Sequence, residues 1–376
     1  MTNNKLRVGL IGANVNYGWG TRAHIPAILA LPEFELAAIC TAHHHTAVET
    51  AHHFGVDLAF DDHRKLVSDP TIDVVVVSVR VPHHHALTMA ALDSGKHVFT
   101  EWPLGRTLSE AEEMASLATK NNLQAMIGLQ GRASPELLHM KNLVANGYIG
   151  NPLSCVVTQY TGGFLLNKDS DRSWMGDSSM GVNPFTVGFA HLVDWLGQII
   201  GPFVEISGHL STQIPEWTES DTGEKVSVSA PDTIMITGLV KTGAEVSVAV
   251  GSVPHLGSGM RLELHGTNGT IVATSEQSSH IGPVKVFGAQ DGSNSLTLLE
   301  TPPALNLVPD NTPTGAPYNV AQMYRLLASS INSGTPLEHD FQAAVCLHNL
   351  IETIKFSSET AQRVSVDERC RPIKVR

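Results

Sequence analysis

Only four cysteines occur in 376 residues, at positions 40, 155, 346 and 370, with no Cys-x-x-Cys pair and no zinc-type spacing. That scatter excludes a disulfide framework and a zinc module, and predicts reduced thiols. Cations are also scarce: 24 Lys and Arg stand against 36 Asp and Glu, a formal net charge of −12 with no dense basic cluster. Such a surface repels phosphate backbones and anionic lipid, which argues against direct nucleic-acid binding and against a membrane partner. No apolar run approaches the ~18 residues of a membrane span. The opening MTNNKLRVGLIG enters an apolar strand without the regions of a signal peptide. A soluble cytoplasmic protein is expected.

Hydrophobic residues make up 42% and charged residues 16%, enough apolar material for two cores at this length. Histidine is abundant, with 19 residues and runs at His43–His45, His52–His53 and His83–His85. Consecutive side chains point in different directions on a helix or strand, so a triplet does not surround one ion, and no metal is expected.

The first 130 residues alternate strand and helix. KLRVGLIG (5–12), ELAAIC (35–40) and DVVVVSV (73–79) read as buried strands, 97–100 and 124–129 as two more, and the intervening segments as helices. This predicts a doubly wound parallel sheet, a Rossmann domain over 1–130. From 131 to 376 the pattern changes to an α/β domain with a large open, mainly antiparallel mixed sheet. Its alternating strands include 232–240, 244–251, 260–266 and 269–274, and two helices at 318–333 and 340–359 close the chain. A helix over 184–200 and a Pro-rich loop over 301–317 complete the pattern.

Where the first strand turns toward its helix, Gly12, Asn14, Gly18 and Trp19 are candidates to cradle a pyrophosphate. The strict Gly-x-Gly-x-x-Gly spacing is absent, because Asn14 stands at the second glycine and the turn is lengthened. An ordinary β-α turn therefore remains open from these residues alone. At Thr41, near the end of the second strand, no carboxylate occurs between Cys40 and Val48 to hold the ribose of NAD. No adjacent Arg is offered to clamp a 2′-phosphate either, so the cofactor is NADP or NAD with a slight lean to NADP.

From Asp73 onward the chain resembles the Gfo/Idh/MocA family, the glucose-fructose oxidoreductase and inositol dehydrogenase group. The matching features are Pro82, His85, the Ala91-Leu92-x-x-Gly95-Lys96-His97-Val98 segment and Glu101-x-Pro103-Leu104, followed by Gly150-Asn151-Pro152, the His191-Leu192-Val193-Asp194 element and the region from Ser357 to Val366. Within the family it is most similar to the branch containing the fungal galactose-regulon repressor. The resemblance implies a Rossmann domain, then an α/β domain whose open sheet serves as an oligomer interface. It also implies hydride transfer between NAD(P) and a sugar or polyol carbon.

Two catalytic positions depart from the family pattern. Trp102 replaces the Lys of the Glu-Lys-Pro motif, and Val187 stands where alignment on His191 places the catalytic Asp. Indole can stack but relays no proton. The remaining candidates for chemistry are His191, with an imidazole near its ordinary pKa of about 6.5, together with Tyr160 and Glu101. Asp194 either orients His191 or pairs with a cation. Gly12, Asn14, Gly18, Trp19, Thr41, Pro82, His85, Glu101 and Trp102 are candidates for holding the cofactor, with His85 as a buttress of the crevice and His24 as structural. Three readings remain open: an NAD(P)-dependent oxidoreductase acting on a sugar-like or other small carbonyl or hydroxyl substrate, a non-catalytic dinucleotide sensor with a regulatory protein partner, and a lyase or hydrolase on the same fold. A homo-oligomer, dimer or tetramer, is expected through the open sheet.

Overall fold

The computed structural model describes residues 5–162 and 167–366; Cys370 lies outside them. The first unit runs to Gln130. Its strands are β1 (Leu6–Ile11), β2 (Phe34–Cys40), β3 (Leu58–Phe60), β4 (Val74–Val77), β5 (His97–Glu101) and β6 (Ala125–Gly128), and its helices are α1 (Ile25–Ala30), α2 (His44–Phe54), α3 (His63–Ser68), α4 (His84–Asp93) and α5 (Leu108–Lys120). The strands form one parallel sheet in the order β3-β2-β1-β4-β5-β6. Strand β4 is four valines, all 0% exposed, as a strand covered on both faces requires. Strand order reverses between β1 and β4, and in such sheets the crevice beyond the carboxyl ends at that point receives the ligand.

The second unit begins at Gly131. It contains α6 (Pro135–Ala145), β7 (Pro152–Thr161), β8 (Asn167–Lys168), α7 (Ala190–Ile200), β9 (Phe203–Ser211), β10 (Glu216–Glu219), β11 (Lys225–Ser227), β12 (Thr233–Val240), β13 (Glu245–Ser252), β14 (Gly259–Gly266), β15 (Gly269–Ser275), β16 (Lys285–Gln290) and β17 (Thr297–Leu298). Chain order continues with α8 (Ala316–Ser333), α9 (Phe341–Thr360) and β18 (Val364–Ser365). Nine strands make the large sheet, β17-β16-β15-β14-β7-β13-β12-β9-β18, in which β7 and β13 are the parallel pair. Cys155, Val157, Gln159, Val246, Val248 and Val250 point to its buried face. Val156 and Met235 point the other way and are 47% and 48% exposed. The β9 edge is closed by β18 and by the Ser357 and Ser358 hydroxyls, which accept from the Gly208 and Leu210 N–H groups at 2.9 Å each. A small sheet, β11-β10-β8, carries its own cluster around Trp217, Val228 and Ala230.

The division of the chain differs from the simple 1–130 and 131–376 expectation in one respect: Asn306–Val345 groups with the first unit. Val320, Met323, Tyr324 and Leu327 of α8 are fully buried, and α8 packs on α1. Apolar periodicity marks α8 as amphipathic without saying which sheet it covers.

Candidate functional site

Gly12 follows β1 at φ +102°, and a Cβ there would stand 2.2 Å from the Ser78 carbonyl oxygen, so only glycine fits. Gly18 also has a left-handed φ, +103°, and Gly20 passes close to the Gly12 carbonyl as the chain enters a π-turn (Gly20–His24) leading into α1. This is the close backbone approach that a pyrophosphate needs. The loop donors are partly committed, however. Val15 N–H donates to Thr50 Oγ1 at 3.2 Å, Asn16 N–H to Asn14 Oδ1 at 2.9 Å, and Tyr17 N–H to the Asn14 carbonyl at 3.2 Å. Asn14 thus organises the turn from within. The Trp19 indole N–H is buried without an acceptor, and the Arg22 guanidinium stacks 5.0 Å from the ring centroid, so a donor and a cation stand at the start of the helix. These groups fit the phosphates of a dinucleotide.

Thr41 does not stand open. Its hydroxyl lies 2.9 Å from the His43 carbonyl and 2.6 Å from Thr46 Oγ1, within the turn that starts α2. The slight lean to NADP rests on the absence of a carboxylate in this stretch of chain, between Cys40 and Val48. Cys40 pairs with Phe60 and Thr41 N–H donates to the Phe60 carbonyl at 3.1 Å, which sets Asp61 beside Thr41. Burial and the charges of Asp62 and Asp61 push the Cys40 thiol up to about 12, and burial alone does the same for Cys155, so both stay protonated.

Glu101, at the end of β5, is held by two side chains through three contacts. Gln130 Nε2 donates to both carboxylate oxygens, at 3.2 and 2.9 Å, and His24 Nε2 lies 2.9 Å from Oε1. His24 Nδ1 in turn meets the Tyr324 hydroxyl at 2.8 Å. Burial and the nearby Glu101 charge hold the Tyr324 phenol well above its ordinary value, so it stays protonated. His24 is therefore structural, and what it holds in place is Glu101. No sequence signal marks Tyr324, which arrives from a helix far along the chain.

Trp102 is 6% exposed and packs into the core. Pro82 lies in a single turn, Val81–His83, just past β4 at the carboxyl edge. His85 is corrected: it turns outward to Glu113 of α5, at 2.9 Å. The buttress is its neighbour His84, 1% exposed, whose Nδ1 and Nε2 lie 2.8 and 3.1 Å from the Pro103 and Val79 carbonyls at the sheet's carboxyl edge. Burial holds the His84 ring below its ordinary pKa, against the two carbonyls, which raise it.

In the second unit, Asn183 accepts from the Phe185 and Thr186 N–H groups at 3.0 Å each, and Thr186 Oγ1 accepts from the Asn183 N–H at 3.1 Å. This capping box starts a π-turn over Pro184–Phe189, which contains Val187, before α7 begins. His191 stands on the first turn of α7, 5% exposed, with Nδ1 buried and unpartnered. Its ring lies flat on that of His280, with centroids 3.9 Å apart and planes 5° apart. His280 is supplied by the turn after β15, whose Ser279 accepts from Trp195 Nε1 at 2.9 Å and donates its N–H to Gln159 Oε1 at 3.4 Å. Burial first, and the His280 charge second, hold His191 well below its ordinary pKa, while burial lowers His280 to about 3. The expectation of an ordinary value near 6.5 is thereby corrected: both rings are neutral at pH 7.

Asp194 does not orient His191. It forms a buried two-pronged pair with Arg132, at 2.8 and 2.6 Å. Tyr160 is likewise separated from His191. Gln159 reaches the Gly188 carbonyl, at 3.3 Å, and Ser279 on the buried face of β7, so Tyr160, one residue on, points to the opposite face and lies over Gly251. Among the described residues no group of three His, Cys, Asp or Glu side chains is placed to hold a metal ion. None of their helices is long and apolar enough to cross a membrane.

Fold and site define a two-domain α/β protein with an N-terminal dinucleotide-binding domain. Residues 6–129 match the oxidoreductase family with NAD-binding Rossmann fold, GFO_IDH_MocA, and residues 135–275 match the Gal80p C-terminal domain. Levoglucosan dehydrogenase of Pseudarthrobacter phenanthrenivorans is 30% identical over 296 residues, 72% of this chain and 74% of that protein. The galactose/lactose metabolism regulatory protein GAL80 of Saccharomyces cerevisiae is 28% identical over 286 residues, 71% of this chain and 66% of that one. A solved super-repressor mutant of Gal80p from the same yeast superposes with TM-score 0.87 at 23% identity, covering 98% of this chain and 99% of that one. A levoglucosan dehydrogenase complex with NADH and levoglucosan superposes with TM-score 0.84 at 25% identity, covering 97% and 100%. The chain belongs to the Gfo/Idh/MocA oxidoreductase family, and its second domain is of the Gal80 type.

Proposed function

We propose that this protein is a nicotinamide-dinucleotide-dependent oxidoreductase acting on a sugar-like or other small carbonyl or hydroxyl compound, with His191 handling the proton. The observation that carries the reading is the His191 ring: buried, neutral, and with Nδ1 committed to no structural partner. A dinucleotide bound at the Gly12–Trp19 turn supplies the hydride chemistry. His191 takes the hydroxyl proton in oxidation and returns it in reduction, while Glu101, fixed by His24 and Gln130, orders the carboxyl edge of the Rossmann sheet. Relatives that are dehydrogenases, one of them solved with NADH and an anhydrosugar, support this choice.

The Gal80-type second domain favours a second reading, a dinucleotide-responsive regulator without turnover. Trp102 and Val187 leave His191 as the one titratable group at the three family positions, which suits that reading too. Titration with NAD⁺, NADH, NADP⁺ and NADPH, followed by assays on sugars, anhydrosugars, polyols and ketones, separates the two. The enzyme turns over at least one substrate. The regulator binds dinucleotide, turns over none, and captures a protein partner in a dinucleotide-dependent way. Binding of none of the four up to millimolar concentration removes both.

The outer face of the nine-stranded sheet, with Val156 and Met235 half-exposed, is proposed to meet a second copy of the chain as a dimer or tetramer. Sedimentation velocity at micromolar concentration is expected to give a species at least twice the monomer mass, and a clean monomer contradicts it.

A further inference from the structure

We propose that Asp61, at the end of β3, selects the cofactor by rejecting a 2′-phosphate, so that the protein prefers NAD(H) to NADP(H). The inference rests on the dinucleotide reading above and names the form bound. In a Rossmann domain the adenosine ribose lies beyond the carboxyl end of the second strand, where an acidic residue of that strand usually meets the 2′-hydroxyl. β2 ends at Cys40 and offers no such residue. The neighbouring strand supplies one. The Cys40–Phe60 pairing and the Thr41 N–H bond to the Phe60 carbonyl, 3.1 Å, put residue 61 about one interstrand spacing, roughly 4.8 Å, from the β2 end.

Two carboxylates follow β3, and they act differently. Asp62 caps α3, accepting from the Arg64 N–H at 2.9 Å. Asp61 caps nothing, is 41% exposed, and extends to 3.7 Å from Nδ1 of His44, on the first turn of α2. It therefore reaches from β3 across to the β2–α2 loop. The charges of both aspartates are felt at the Cys40 thiol, the last residue of β2. Arg64 and Lys65, on α3, are exposed, and His63 lies 3.8 Å from Asp62.

A phosphomonoester carries a charge of about −1.5 to −2 at pH 7, whereas a ribose hydroxyl carries none and can donate to a carboxylate. For charges about 5 Å apart in an aqueous dielectric such repulsion corresponds to about a tenfold loss of affinity, more in a drier site. The test is the ratio of Kd for NADPH and NADH, read by fluorescence at pH 8, in the native protein and in Asp61→Asn, which keeps shape and removes charge. The native protein is expected to favour NADH by at least about tenfold, and Asp61→Asn to cut that preference by about tenfold through tighter NADPH binding. Raising salt from about 0.05 to 0.5 M should narrow the native ratio and leave that of the variant nearly unchanged. Circular dichroism and Tm check that the exposed substitution leaves the fold intact. Equal or tighter binding of NADPH by the native protein, or a ratio indifferent to Asp61→Asn, overturns the assignment and points to Arg64 or Lys65 as a phosphate clamp. Binding of neither dinucleotide overturns the proposed function itself, and this assignment with it.

Discussion

On the proposed function, His191→Ala is expected to lower turnover by about 10²–10⁴-fold, the usual worth of a positioned proton acceptor, with dinucleotide affinity unchanged. Neither Trp102 nor Val187, at the two other positions that the resemblance implies, takes a proton from an oxygen. Tyr160 points to the far face of β7, and Glu101 is engaged by His24 and Gln130. The pH dependence makes the expectation sharper. A base works only when unprotonated, and burial with the stacked His280 holds His191 neutral well below its ordinary range. In the oxidation direction kcat/KM should therefore stay flat through the region around pH 6.5, instead of falling there as for a solvent-exposed imidazole. A His191→Ala variant with full turnover sinks the assignment. An inflection near 6.5 that disappears in that variant sinks the neutral stacked pair.

Breaking the Arg132–Asp194 pair is expected to produce a large loss of stability. The two side chains are 10% and 4% exposed and meet through two hydrogen bonds, so Arg132→Met leaves a buried carboxylate without its counter-charge. Removing one partner of such a pair costs about 3–5 kcal/mol, whereas replacing both by apolar groups of similar volume is close to neutral. Urea unfolding of Arg132→Met should show that loss, and the double variant Arg132→Met/Asp194→Leu should recover most of it. A single variant within about 1 kcal/mol of the native protein would mean that the ion pair contributes little.

Much of the architecture is legible in the sequence because it is written in short-range pattern. Four consecutive valines at 74–77 mark a strand covered on both faces, and the glycine after β1 marks the turn where no Cβ fits. The resemblance carried by residues 91–104 then points to the family that the comparisons identify. Placement of side chains is less legible. In the run His83–His85 the sequence signals a helix start, but one residue of rotation decides that His84 faces the carbonyls of Val79 and Pro103 while His85 meets Glu113.

By itself, then, the sequence determined the alternation of strand and helix, the glycine turn after β1 and the change to a mainly antiparallel sheet, since each of these is a property of neighbouring residues. Tertiary structure alone decided the rest. Period-2 alternation says that Gln159 and Tyr160 face opposite ways, but only packing shows that the Gln159 side meets the segment carrying His191. His280 over His191, Tyr324 behind His24, Arg132 on Asp194 and Asp61 beside Thr41 all join residues remote in the chain. Such contacts are set by how helices and strands pack, and a local pattern carries no record of which distant partner closes on it.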